Sequence, residues 1–142
     1  MEDVCELLND LLVIENRSLP MYLASARPWS GPEGAAAQAE LSKIAVDQRR
    51  IVDILGGLIV SRGGMVDMGE FPMEFTDLHD LSVSFVLPQI IRRQRSDIVN
   101  IQRIAEQLSS DVACRSIAEE ALGSAKGHLE LLEELASART VA

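Results

Sequence analysis

GGMVDMGEFPMEFT, residues 63–76, shows no sustained hydrophobic period and is strewn with glycine, proline and acidic side chains, the composition of a connection. The chain on both sides of it reads as helix. Upstream, Ile44, Ile51, Ile54 and Leu58 recur by threes and fours with Asp47 in the missing step, and Gly63–Gly64 supplies a stop after Arg62. Ser30 and Glu33 mark the start of this helix as a capping box, with Pro32 in the first turn. Downstream, Thr76 is the expected N-cap of a helix that continues through Pro88 to Leu108. Further out, a first helix runs from Asp3 to Arg27, opened by Asp3 and Glu6 and kinked at Pro20. A last helix begins at SSDVA, capped by Ser110 with Asp111 favouring the positive end of the dipole, and ends near Ala136.

The length of 63–76 decides how these helices are arranged. The other connections are shorter, so helix 1 pairs with helix 2 and helix 3 with helix 4 as antiparallel neighbours. A connection of 14 residues spans about 46 Å when extended. From Asp47 to Arg62, and again from Asp77 to Arg92, the rise along a helix is about 22 Å. The connection can therefore run the length of the molecule and put Asp47 and Arg92 at one height. The expected fold class is all-α: an antiparallel four-helix bundle with one long crossover between helices 2 and 3, one domain over residues 1–142.

Composition narrows the function classes. Hydrophobic residues make up 47% of the chain and aromatics only 4%, which suits an aliphatic helical core better than a β-sandwich. A net charge of −9 argues against sequence-independent binding of nucleic acid and against docking on an anionic membrane. No apolar run approaches the roughly 20 residues needed to span a bilayer. MEDVCELL carries no basic leader before its apolar stretch, so the expected compartment is the cytoplasm. Cys5 and Cys114 lack a C-x-x-C spacing and read as small buried thiols. There is no Walker-type loop and no G-x-S-x-G, and no serine or cysteine has a legible partnership with His79 or His128. His79 is expected to be exposed.

Each helix nevertheless places a polar residue within its apolar seam. Glu15 shares a face with Leu8, Leu12, Leu19 and Tyr22, and Asp47 interrupts the isoleucine ladder of helix 2. In helix 3, Leu78, Leu81 and Phe85 lead to Arg92 and on to Val99; in helix 4, Ile117, Ala121, Leu132 and Leu135 flank His128. Arg50, three residues after Asp47, is its near neighbour. Any one of these alone would read as an ordinary core histidine or a solvated arginine. Four at one depth read as a shared buried polar layer. An isolated carboxylate in a dry interior costs several kcal/mol, so Glu15 is expected to meet Arg92 or Arg50.

The stretch LNDLLVIENRSLPMYLASARPW, residues 8–29, resembles the first helix of the bacterioferritins, within the ferritin-like diiron-carboxylate bundles. The resemblance lies in Leu8-Asn9 ahead of Glu15, in Tyr22 seven residues past that Glu, and in the Leu23…Ala26-Arg27 tail. The spacing from Asp47 to Gly63 is similar to that family's second helix, and helices 3 and 4 align without a gap from Arg92 to His128. That family holds two irons with a Glu from each of two helices and a Glu-x-x-His from each of the others. The resemblance implies that the first-helix Glu is kept as Glu15. The second-helix motif falls on DQRR, giving Asp47 and Arg50, and the third-helix Glu falls on Arg92. The fourth-helix motif falls on AKGH, giving Ala125 and His128. The haem-ligating Met falls on Gln48, which cannot take that role, so no haem is expected.

A guanidinium has no lone pair for a metal. The former metal space is therefore expected to hold two carboxylates, two arginines and one histidine, nearly neutral without any cation. The expected function is that of a non-catalytic ferritin-like protein, structural or interacting, with no cofactor; ferroxidase activity is not expected. The alternative is one divalent metal ion on Glu15, Asp47 and His128, adequate ligands that the arginines would oppose. A third reading is a small-anion or metabolite pocket lined by Arg50 and Arg92. As in bacterioferritins, a homodimer through helices 1 and 2 is expected. Leu11, Ile14, Met21, Val46 and Val52, off the inner seams, would supply its apolar patch.

Overall fold

The computed structural model describes residues 3–26, 34–78 and 81–141. Over these the chain is all-α: α1 (Val4–Asn16), α2 (Leu19–Ala26), α3 (Ala35–Ser61), α4 (Val83–Gln107) and α5 (Val112–Val141), with a 3-10 turn at Met73–Phe75 and no strand. The expected helix end at Arg27, the Ser30–Pro32–Glu33 capping box and His79 lie outside the described residues. No helix among those described is long and apolar enough to cross a membrane.

Pro20 does not kink one long helix; it opens a second one. The break falls at Arg17 and Ser18, where Ser18 Oγ accepts the Met21 N–H at 3.1 Å and caps α2. Pro20 then sits in the first turn, where a missing N–H costs nothing. Two other caps differ from expectation. Thr76 Oγ1 donates to Met73 O at 2.7 Å, closing the 3-10 turn, and Ser82 instead caps α4 by accepting the Phe85 N–H at 3.3 Å. Asp111, rather than Ser110, caps α5, its Oδ1 accepting the Cys114 N–H at 3.2 Å. Arg62 at the end of α3 grips both oxygens of Asp111 at 2.9 Å and holds its carboxyl down at about 2.

The packing closes a ring. α3 lies against α1, α2 and α5, while α4 lies against α5 and, more lightly, against α1 and α2. The segment after α3 runs along the first two helices from end to end. Cys5 faces the carbonyls of Ile59 and Arg62, Asn9 exchanges hydrogen bonds with Met65 and Asp67, and Asn16 and Arg17 donate to Met68 O. Tyr22 donates to Thr76 O at the far end. Gly64 and Gly69 approach α1 most closely: a Cβ on Gly64 would lie 2.7 Å from Cys5 Sγ, and at Gly69, whose φ is +80°, one would lie 2.8 Å from a methyl of Val13.

The phase of α4 differs from the sequence reading. Val83, Val86, Leu87, Ile90, Ile91, Ile101, Ile104 and Leu108 are buried, while Phe85 and Val99 are exposed. In α3 the buried line is Leu41, Ile44, Ile51, Leu55 and Ile59, and Ile54 turns outward. Leu11 and Val52, expected on an outer dimer face, belong to the core. For Leu11 the reason is that α1 is covered on three sides, by α3, α4 and the 65–69 segment, so more than a narrow stripe of it is buried. Of that expected patch, Val46 stands well exposed at 61%.

Candidate functional site

The core is two apolar clusters. One gathers Leu8, Leu12, Ile51, Leu55, Ile101 and Ala121; the other gathers Leu19, Leu23, Leu41, Ile44, Ile90 and Leu132. Each helix column crosses from one to the other through a polar residue. Glu15 and Ser18 lie between Leu12 and Leu19, Gln48 between Ile44 and Ile51, Gln94 between Ile91 and Ile101, and His128 between Ala125 and Leu132. Glu15, Ser18, Gln48, Gln94 and, at the α3 margin, Glu40 are all buried.

The layer is held by hydrogen bonds between columns. Ser18 Oγ meets Gln48 Oε1 at 2.7 Å and donates to it. Gln94 Nε2 donates to the Ala125 carbonyl at 3.0 Å, while its Oε1 is buried and accepts from no described residue. His128 is bracketed by α3: Nδ1 faces Glu40 Oε1 at 3.1 Å and Nε2 faces Asp47 Oδ2 at 2.6 Å. Glu40 and Asp47 are seven residues apart, so both fall on the same side of α3 and can flank one imidazole. A doubly protonated ring donates to both carboxylates; a neutral one satisfies only one of them.

Glu15 has a different environment. It is 3% exposed, with no hydrogen bond or ion pair to any described residue, and burial pushes its carboxyl up to about 8, with help from the charges of Asp97 and Asp47. Asp97 is itself raised to about 6 by burial, against the pull of Arg93. At neutral pH Glu15 therefore holds its proton and Asp97 is mostly ionised. The carboxylate is kept in the interior as an acid, rather than paired as a charge.

The structure brings Glu15, Asp47 and His128 to one level and leaves Arg50 and Arg92 on the surface. Arg92 is exposed, and Arg50 pairs with Glu120, both half-exposed. The expected meeting of Glu15 with either arginine does not occur, and neither lines an anion pocket in the layer. The geometry of a helix gives the reason: two residues are about 200° of rotation. Arg50 follows the buried Gln48 by two and Arg92 precedes the buried Gln94 by two, so each is thrown to the far face. The residues missed were Ser18, Glu40, Gln48, Gln94 and Asp97. Gln48 was legible as the step between Ile44 and Ile51, and Gln94 as the step between Ile90 and Ile101. Glu40 stands one seven-residue repeat before Asp47, a signal of the same kind.

These residues do not fit a pair of irons. Of the positions carried over from the family pattern, Arg50 and Arg92 have no lone pairs and face outward, Ala125 is apolar, and His128 has both nitrogens taken by carboxylates. Among the described residues no three His, Cys, Asp or Glu side chains are grouped so as to hold a metal ion. Comparison with protein-family models, with curated proteins and with solved structures finds no match to this chain.

Proposed function

We propose that this chain is a metal-free, ferritin-like four-helix bundle with one long crossover, in which a buried polar layer stands where the family holds two irons. In this reading α1 and α2 together form the first column, and 62–82 is the crossover. The protein acts without catalysis, as a structural or interaction module in the cytoplasm. The observation that carries the reading is the bridge Glu40–His128–Asp47, which spends the surviving family histidine on two carboxylates. Such a layer fixes which helices pair and in what register, since a shift of one turn would bury Glu40 or Gln48 against leucine and isoleucine. Metal analysis of protein purified without added metal tests it. Less than a tenth of an atom per chain is expected, in round terms about zero against the two of a diiron protein; about two would overturn it.

A second reading keeps one divalent cation on Glu15, Asp47 and His128. The outward turn of Arg50 and Arg92 favours it, because it removes the cations that would repel a metal and leaves Asp97 beside Glu15. It requires Glu15 to release its proton, His128 to give up Asp47 as a hydrogen-bond partner and share it as a co-ligand, and the three side chains to move into a group that they do not form here. About one atom per chain in the same analysis, lost in the His128→Ala variant, would establish it. A twofold dimer is also part of the proposal, resting now on Val46 and on Met65, Met68 and Phe71 of the crossover, all exposed. Sedimentation at the mass of one chain, 15.5 kDa, would remove it.

A further inference from the structure

A cavity of about 330 Å³ opens at the edge of the polar layer, lined by Ser18, where the break between α1 and α2 meets α3 and the Phe71–Pro72 segment. Its charge is unlike that of the rest of the molecule. Arg17 and Arg49 both line it, and none of its described lining side chains is acidic, in a chain of net charge −9. Elsewhere Arg50, Arg62, Arg93, Arg95 and Arg115 each face a carboxylate, while Arg92 and Arg103 stand exposed on the surface. Arg17 instead spends Nε and Nη2 on the carbonyls of Met68 and Gly69, at 3.1 and 3.3 Å, which fixes the guanidinium without neutralising it. Arg49 has no ion pair with any described residue, although a guanidinium in a polar cleft carries donors for several acceptors. Part of the lining is an apolar wall. The Tyr22 ring stands edge-on to Phe71 at 5.9 Å and against Phe75 at 5.9 Å, and its hydroxyl is tied to Thr76 O at 3.2 Å. Met21 completes that wall. A second cavity shares Arg17 and has a mixed lining, in which Glu70, Glu74 and Asp97 outnumber Arg17 and Arg93.

We propose that this cavity binds a small organic anion, a carboxylate or phosphate on a flat apolar body. The anionic group would take the fork of Arg49 and the remaining N–H groups of Arg17, and the body would lie against Met21, Tyr22 and Phe71. Charge-assisted bonds to two guanidinium groups supply the polar half of the affinity, and contact with an aromatic wall supplies the other. Neither half suffices alone, because free phosphate lacks the apolar contact and an uncharged aromatic leaves both cations as they were.

The test is a calorimetric titration of the intact chain with 2-naphthoate, against its uncharged amide 2-naphthamide and against inorganic phosphate, at fixed ionic strength. Saturable binding of 2-naphthoate at one per chain is expected, with both controls at least about tenfold weaker, a difference of about 1.4 kcal/mol. Arg49→Glu should abolish it. That side chain is exposed and has no ion pair with any described residue, so the variant keeps its fold, checked by its circular dichroism and melting temperature. Arg17→Gln, which also loosens Met68 and Gly69, should weaken binding by a similar factor. Amide and carboxylate binding equally, full affinity in Arg49→Glu, or no saturation by millimolar 2-naphthoate would each overturn the proposal.

Discussion

His128 Nε2 lies 2.6 Å from Asp47 Oδ2, and the contact joins α5 to α3 at the level where both apolar clusters end. The other face of the ring meets Glu40, whose side chain is 8% exposed, whereas that of Asp47 is 46% exposed. The two carboxylates therefore depend on the ring unequally. Asp47 can turn to water; Glu40 cannot.

That asymmetry sets the expected outcome of substitution at the bridge. His128→Leu leaves Glu40 buried without a partner and should cost about 3 kcal/mol. Asp47→Asn should cost less than about 1 kcal/mol, since its carboxylate is half in solvent. Adding Glu40→Leu to His128→Leu should recover most of the loss. Urea unfolding of the three variants and the double variant checks this, and strictly additive losses would show that Glu40 and His128 are uncoupled.

Glu15 makes stability depend on pH in a stated direction. Its carboxyl rises from 4.5 to about 8 on folding, so between those values the folded state binds a proton that the unfolded state has released. Stability is then greatest below about pH 4.5 as far as this group is concerned, falls as pH rises by up to about 1.4 kcal/mol per unit, and levels off above pH 8. Asp97, raised to about 6, adds to the slope at the acid end of that window. Glu15→Gln should flatten the profile between pH 6 and 8 and stabilise the protein at pH 7 by about 2 kcal/mol. Chemical denaturation at stepped pH measures it; a Gln variant that keeps the wild-type slope would assign the proton elsewhere.

Arg92 should be silent. It is exposed, on the opposite side of α4 from Gln94, and a surface substitution of this kind changes stability by within about 0.5 kcal/mol. Arg92→Leu is expected to do no more, and to add to Glu15→Leu without coupling. A coupling above about 1 kcal/mol in a thermal double-mutant cycle would place the guanidinium beside Glu15 after all.

The all-α character was readable because Leu, Ile and Ala repeat by threes and fours in long blocks, and Gly63–Gly64 ends one of them. The level of the polar layer was readable from Glu15 and His128, whose flanking residues Leu12, Leu19, Ala121 and Leu132 all proved buried. Its composition was not. In α3 and α4 an arginine and a glutamine stand two positions apart, Arg50 with Gln48 and Arg92 with Gln94, and charge alone does not tell which of the two faces inward. Phe85 and Val99 reinforced the error, being apolar and seven residues either side of Arg92, yet exposed. Gln48 and Gln94 carry no charge and so announce nothing, although they occupy the true seam. The break at Ser18 was hidden for another reason: a serine two residues before a proline is a cap or a kink, and only the hydrogen bond to Met21 decides.

Gln94 offers the sharpest test of what the layer contributes. It is 2% exposed, it donates once to Ala125 O, and its own oxygen accepts from no described residue. The Ala125 carbonyl lies within α5, where the helix already provides an acceptor's partner four residues on. Losing the Gln94 donor should thus cost only about 1 kcal/mol, whereas removing a buried oxygen that no group satisfies should return about 1–3 kcal/mol. Gln94→Met, similar in length and free of the polar end, is expected to be neutral or to stabilise by about 1 kcal/mol. If the layer serves register rather than stability, the same variant should broaden amide resonances of α4 in a two-dimensional NMR spectrum even as its urea midpoint rises. A midpoint that falls by the equivalent of more than about 2 kcal/mol would mean that Gln94 Oε1 has a partner, an ordered water or a proton from Glu15, that holds the layer together.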